Sequence, residues 1–385
     1  MTVTATIEQV GEPILLTPGP AGTTDRVRRA MLRGDLCHRE PEFAALLLGV
    51  RAALVAQLGL ARTHEAIVVT GSGTAAVEMA LASSVRPGRS VLVVDNGVYG
   101  DRMVEIARAH GLPHHVVTPP GAPGGARWTT PIDPEAVRAA LARHPDIDAV
   151  ACVHHETTTG LLNPVEDIGA VVAETDALLV LDAISSTANE GPDLDVVGAD
   201  VICGSSNKGL HGMPGLSFAL CSDAAIARFG AVERRTLYLD AVGHLTSQRA
   251  GEPLFTPAVQ VLYALDEALA ELGDAGGPAG RRRLYRERAA IVRAGFDALG
   301  LELIVAPEHR SSSVSTLRLP AGTSRTTLHA ELKARGYIAY AAQRHLADDH
   351  IRICTFGDIS RTDLERLEPV LGEALRVASP SGASA

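Results

Sequence analysis

Residues 177–186 read ALLVLDAISS. Five apolar residues, Ala177 to Leu181, run unbroken into Asp182 and a serine-containing turn. A half-exposed strand alternates apolar and polar side chains, so an unbroken run of this length predicts a strand buried on both faces, as in a parallel sheet covered by helices. Similar runs lie on either side: VLVVD at 91–95, AVACVH at 149–154, VICG at 201–204 and LSFALC at 216–221. Between them, residues 74–84, 100–110 and 164–175 carry apolar side chains at helical spacing, with lengths that suit crossover helices. The alternation predicts an α/β fold built on a mainly parallel sheet.

At 385 residues the chain is long for one compact core, which predicts a large domain with a smaller companion. GDAGGPAG at 273–280 interrupts two helical patterns and marks the boundary: a large domain over 26–272 and a smaller α+β domain over 273–378. In the smaller part, strands are expected near 312–318 and 350–355, with helices near 325–335 and 361–377. PPGAPGG at 119–125 reads as a surface loop, and the tail 379–385 as disordered.

The net charge is −10, and the 35 basic residues are scattered, which argues against a nucleic-acid or membrane-surface partner. Cys37, Cys152, Cys203, Cys221 and Cys354 form no CxxC pair and no zinc-like spacing; they are expected to be reduced and mostly buried, with no metal site. The first residues show no secretory pattern, and no segment reaches the roughly 18 apolar residues of a membrane helix. A cytoplasmic protein is expected.

Three features carry chemistry. GSGT at 71–74 joins an apolar run to a helical pattern, where small residues and a helix N-terminus suit a phosphate; alone, such a junction is usually only a turn. Asp182 ends a central strand, where open α/β sheets bind ligands and where a carboxylate can hold a pyridinium nitrogen protonated; it could equally cap a turn. Lys208 follows 26 residues later in GSSNKGLHGMPG, flanked by glycines past the next strand. That setting suits a buried reactive amine, although a single lysine is more often an exposed loop residue.

Taken in order, these features resemble the class V aminotransferases of fold-type I, and most closely the branch acting on 2-aminoethylphosphonate and pyruvate. The resemblance extends to TPGP at 17–20, NGVYGDRMVE at 96–105, VHHETTTGLLNP at 153–164, TLYLD at 236–240 and IRICTFGDI at 351–359. It implies a seven-stranded large domain, an N-terminal arm over 1–25, and a homodimer with active sites at the interface. The cofactor implied is pyridoxal 5'-phosphate, carried covalently by Lys208 with Asp182 at its ring nitrogen. Ser72, Gly73 and Thr74 would hold the phosphate, with Asn207 nearby, and Tyr99 would stack on the ring. Thr157 would bond the ring hydroxyl, and Thr256 would reach the phosphate of the partner subunit's cofactor.

Arg352, with its fixed fork of donors, would bind the anionic end of the substrate. The implied reaction moves an amino group between 2-aminoethylphosphonate, or a close aminophosphonate, and pyruvate. CHREPEF at 37–43 departs from the phosphonate-degrading members towards those of phosphonate biosynthesis, and partly towards the serine–glyoxylate branch. An alanine or serine–glyoxylate aminotransferase is the alternative. A cysteine desulfurase has little support, since Asn207 precedes the lysine and no cysteine lies between Cys221 and Cys354. A non-catalytic protein keeping this fold would not need both Lys208 and Asp182. His154, His155 and His211 receive no role.

Overall fold

The computed structural model describes residues 12–119 and 124–379. The residues 380–385 expected to form a disordered tail, 120–123 of the expected loop, and the first 11 of the arm lie outside the described residues. The centre is a seven-stranded sheet made of β1 (His64–Thr70), β2 (Ser90–Val94), β3 (His114–Val117), β4 (Ile147–Val153), β5 (Leu178–Asp182), β6 (Val201–Ser205) and β7 (Leu216–Ser222). Their spatial order is β1-β7-β6-β5-β4-β2-β3. Strands β2 to β6 are parallel, and only β7 runs antiparallel, to both β6 and β1.

Period-two geometry explains why β5 reads as a continuous apolar run. Leu179 and Leu181 enter the core on one face, with Phe43, Leu54 and Leu265, whereas Leu178 and Val180 enter the other, with Met79, Leu81 and Met103. Both faces are covered, so every position must be apolar until the strand ends at Asp182. Burying such Val and Leu side chains contributes roughly 1.5–3 kcal/mol each.

GDAGGPAG proves a shorter break than its composition predicts. Helix Val259–Asp274 runs through the first glycine, and helix Gly277–Ala298 begins after a two-residue turn, Ala275–Gly276. Beyond it lie β8 (Val314–Arg318), β9 (Tyr340–Ala341) and β10 (His350–Cys354), antiparallel in the order β8-β10-β9. Helices Arg325–Ala334 and Arg361–Ala378 cover them. The arm is stitched into this layer: Ile14 and Leu15 pair in parallel with Tyr337 and Ile338, and Leu16 is buried beside Phe296, Tyr337 and Ile353. Four cysteines are buried and Cys37 is exposed, all unpaired. Among the described residues, no helix is long and apolar enough to cross a membrane.

Candidate active site

Asp182, the last residue of β5, stands at the carboxyl edge of the parallel strands. The turn after it folds back so that Ile184 N–H donates to Asp182 Oδ1 at 2.9 Å. Among the described residues, Oδ2 receives no hydrogen bond. Burial pushes this carboxyl up to about 6, against the opposing pull of the Ile184 N–H, Lys208 and Arg102.

Lys208 lies in the loop after β6, where His211 N–H caps its carbonyl at 2.9 Å. Its Nζ sits 5.8 Å from the centroid of the Tyr99 ring. A cavity of about 650 Å³ opens here, lined by Thr17–Pro20 of the arm, Tyr99, Asn207, Lys208, Tyr340, Gln343 and Arg352. The arm is tight against the lysine: a Cβ on Gly19 would fall 3.2 Å from Asn207 Nδ2 and 3.5 Å from Lys208 Cε. Arg352 is buried on β10, opposite Tyr340, and its Nη1 donates to the Thr157 carbonyl at 2.7 Å. That bond holds one side of the guanidinium of a residue that lines the cavity.

Helix Gly73–Ser84 begins immediately after Ser72, its N-cap, at the carboxyl end of β1. A Cβ on Gly73 would fall 2.6 Å from Ile184 Cδ1, so only glycine lets this helix start approach the turn that carries Asp182. Arg102 bridges two of the expected cofactor residues. Its Nη1 donates to Thr74 Oγ1 at 3.2 Å, and its guanidinium carbon lies 4.7 Å from the Tyr99 ring centroid. This is cation–π range.

Glu156 lies fully buried beneath the same turn. Its Oε2 accepts from Tyr99 N–H and its Oε1 from Thr158 N–H, each at 3.1 Å. A Cβ on Gly97 would lie 2.2 Å from its carboxyl carbon, so the NGVYG turn can close over it only with glycine there. Burial drives Glu156 up to about 7, and nearby Asp182 raises it further while the hydrogen bonds oppose.

Of the residues expected from sequence, Tyr99, Asn207, Lys208 and Arg352 line one cavity, and Thr74 joins them through Arg102. Thr157 is tied to Arg352 by its carbonyl. Thr256 stands apart. It is exposed and borders a separate void of about 30 Å³ with Tyr238 and Phe255. His154 and His155 bond the carbonyls of Gly191 and Ser185 at 3.0 and 3.1 Å, and burial lowers them to about 4 and about 3, which keeps both neutral at physiological pH. His211 is buried against Tyr285 and Arg281.

Sequence reasoning missed Arg102, Glu156, Tyr340 and Gln343. Arg102 is three residues from Tyr99 on helix Val98–Ala109, a spacing that puts both on one helix face. Another available signal was scarcity. The sequence holds only two lysines, Lys208 and Lys333, and Lys333 is exposed on a helix of the C-terminal layer.

Residues 32–347 match the family described as aminotransferase class-V. A 2-aminoethylphosphonate–pyruvate transaminase from Syntrophobacter fumaroxidans is 35% identical over 94% of this chain and 96% of its own, and one from Aeromonas hydrophila is 33% identical over 90% and 91%. The solved alanine–glyoxylate aminotransferase from Nostoc sp. superposes with a TM-score of 0.88 at 27% identity, covering 95% of this chain and 96% of its own. With the family matched along most of its length and the expected lysine in the central cavity, this chain belongs to the class V aminotransferases, which implies pyridoxal phosphate as its cofactor.

Proposed function

We propose that the chain moves an amino group between 2-aminoethylphosphonate, or a close aminophosphonate, and pyruvate. The observation that carries this reading is the single cavity shared by Lys208 and the buried Arg352, in a chain whose relatives are named for that reaction.

Pyridoxal phosphate fits the residues present. Ser72, Gly73 and Thr74 offer backbone N–H groups and hydroxyls at a helix start, and Asn207 lines the cavity beside Lys208. Because Thr74 Oγ1 already accepts from Arg102, its hydroxyl proton is free to donate to a phosphate oxygen. Asp182 would hold the ring nitrogen protonated, and that nitrogen would add a positive partner to the pull of Lys208 and Arg102 on this buried carboxyl. Tyr99 would support the ring face, and Thr157 would hold the ring hydroxyl.

When bound, the cofactor supplies a carbonyl for attachment and a ring that withdraws electrons from the amine-bearing carbon. Lys208 Nζ would hold it covalently and, when free, would move the proton on the amine-bearing carbon. Arg352 grips the anionic tail of the substrate, and the arm residues Thr17–Pro20 keep water from that carbon. Lys208 comes from the loop after β6 and Arg352 from β10 of the C-terminal layer, so both layers contribute to the site.

We also propose a homodimer. Leu237 and Tyr238 are 66% and 43% exposed beside the exposed Phe255 and Thr256, an apolar surface suited to a second copy whose cofactor phosphate Thr256 would reach.

Assaying a panel of amine donors against pyruvate and glyoxylate tests the substrate. 2-Aminoethylphosphonate with pyruvate should exceed alanine and serine by at least about tenfold in kcat/KM, with phosphonoacetaldehyde as product. Equal or better turnover of serine or alanine with glyoxylate would overturn the phosphonate reading and leave the family assignment intact.

A further inference from the structure

At the opposite end of the parallel strands from Asp182, three side chains form a cluster that transamination does not use. His115 is the second residue of β3, His144 closes helix Pro134–Arg143, and Asp146 immediately precedes β4. Each offers one ligand atom, and these atoms all lie within 4.8 Å of one another. The two imidazole rings stack with centroids 3.7 Å apart and planes 20° from parallel. His115 Nε2 is 3.7 Å from Asp146 Oδ2. His115 and His144 are half-buried, so each is backed by protein yet open to solvent.

From this geometry we propose that His115, His144 and Asp146 bind a divalent transition ion of the Zn²⁺ or Ni²⁺ class. Two imidazoles with one carboxylate suit such ions, whereas Mg²⁺ and Ca²⁺ favour all-oxygen sites. Metal–ligand bonds of about 2.0–2.2 Å at tetrahedral angles put ligand atoms roughly 3.3–3.5 Å apart. The His115–Asp146 pair is already close to that separation at 3.7 Å. Stacked rings aim their lone pairs side by side and not at one point, so one imidazole must turn out of the stack. Its partly open surroundings permit that turn, and three protein ligands leave a fourth position for water. Among the described residues, β3 is an edge strand whose one sheet neighbour is β2. A bound ion would tie this edge to the segment entering β4.

The test is a Zn²⁺ titration of metal-free holoenzyme in competition with a chromophoric chelator. Wild type should take up one equivalent with micromolar or tighter affinity, and His144→Ala and Asp146→Asn should each weaken it by at least about tenfold. Turnover should stay unchanged in both variants, with circular dichroism verifying that they fold. Co²⁺ in place of Zn²⁺ should give visible bands that His144→Ala alters. No uptake by wild type would reduce the cluster to a local ion pair beside a stacked ring and overturn the proposal. Uptake equal in wild type and both variants would place the metal elsewhere and overturn it as well.

Discussion

Two buried carboxylates eight residues apart, Asp182 and Glu190, are treated in opposite ways. Glu190 is saturated: Ser312 and Ser313 each give it a backbone N–H and a hydroxyl, at 2.6–3.1 Å, and Asn189 adds its amide at 3.4 Å. Asp182 receives one backbone N–H, and burial lifts it to about 6. Folding alone accounts for Glu190, which fastens the turn after β5 to the segment that leads into β8 of the C-terminal layer. Asp182 is left incomplete, in the place where a cationic ring nitrogen would complete it. A buried group that the fold does not satisfy points to a ligand more strongly than one it does.

Replacing each carboxylate should separate the two roles. Glu190→Ala removes the acceptor of five hydrogen bonds, among them those of the Ser312 N–H and hydroxyl, and should lower unfolding free energy by at least about 3 kcal/mol, read by chemical denaturation. A loss below about 1 kcal/mol would show that the latch is dispensable. Asp182→Asn should do the reverse. Turnover should fall by at least about two orders of magnitude, roughly 2.7 kcal/mol, while the melting temperature of the cofactor-free protein stays level or rises. Near-normal turnover would remove Asp182 from the ring nitrogen.

Arg102 sharpens the comparison, because it serves both the Thr74 hydroxyl and the Tyr99 ring beside Asp182. Arg102→Met should weaken cofactor binding about tenfold, or about 1.4 kcal/mol. Equilibrium dialysis of the cofactor measures it. If Arg102 acts through Thr74, the loss should shrink in a Thr74→Val background, and full additivity would contradict that coupling.

Glu156 is intermediate, with two backbone donors and a carboxyl raised from 4.5 to about 7. Between those values the folded chain binds more protons than the unfolded chain, so stability falls as pH rises through that window. In the cofactor-free protein, Glu156→Gln should make the fall from about pH 4.5 to about pH 7 shallower, whatever it does to stability at any one pH. An unchanged slope would show that Glu156 does not titrate in that range.

Much of this frame was legible in sequence because burial on both faces keeps β5 before Asp182, and most of β4 and β6, apolar. Strand direction was not legible. LSFALC of β7 has the same apolar content as its parallel neighbours, and composition carries no sign of polarity. Lys208 and Asp182 stood out by their positions after strands and by the motif around the lysine. Arg102 was recoverable from helical spacing to Tyr99. The Glu190 latch spans 122 and 123 residues, and Gln343 meets the site only through tertiary folding, so neither leaves a local pattern.

With only two lysines in the chain, the central claim has a binary test. Borohydride reduction of the holoenzyme, followed by peptide mass mapping, should find the cofactor fixed to Lys208 and absent from Lys333, and Lys208→Ala should abolish the adduct. A reduced adduct on Lys333, or one that survives Lys208→Ala, would contradict the account.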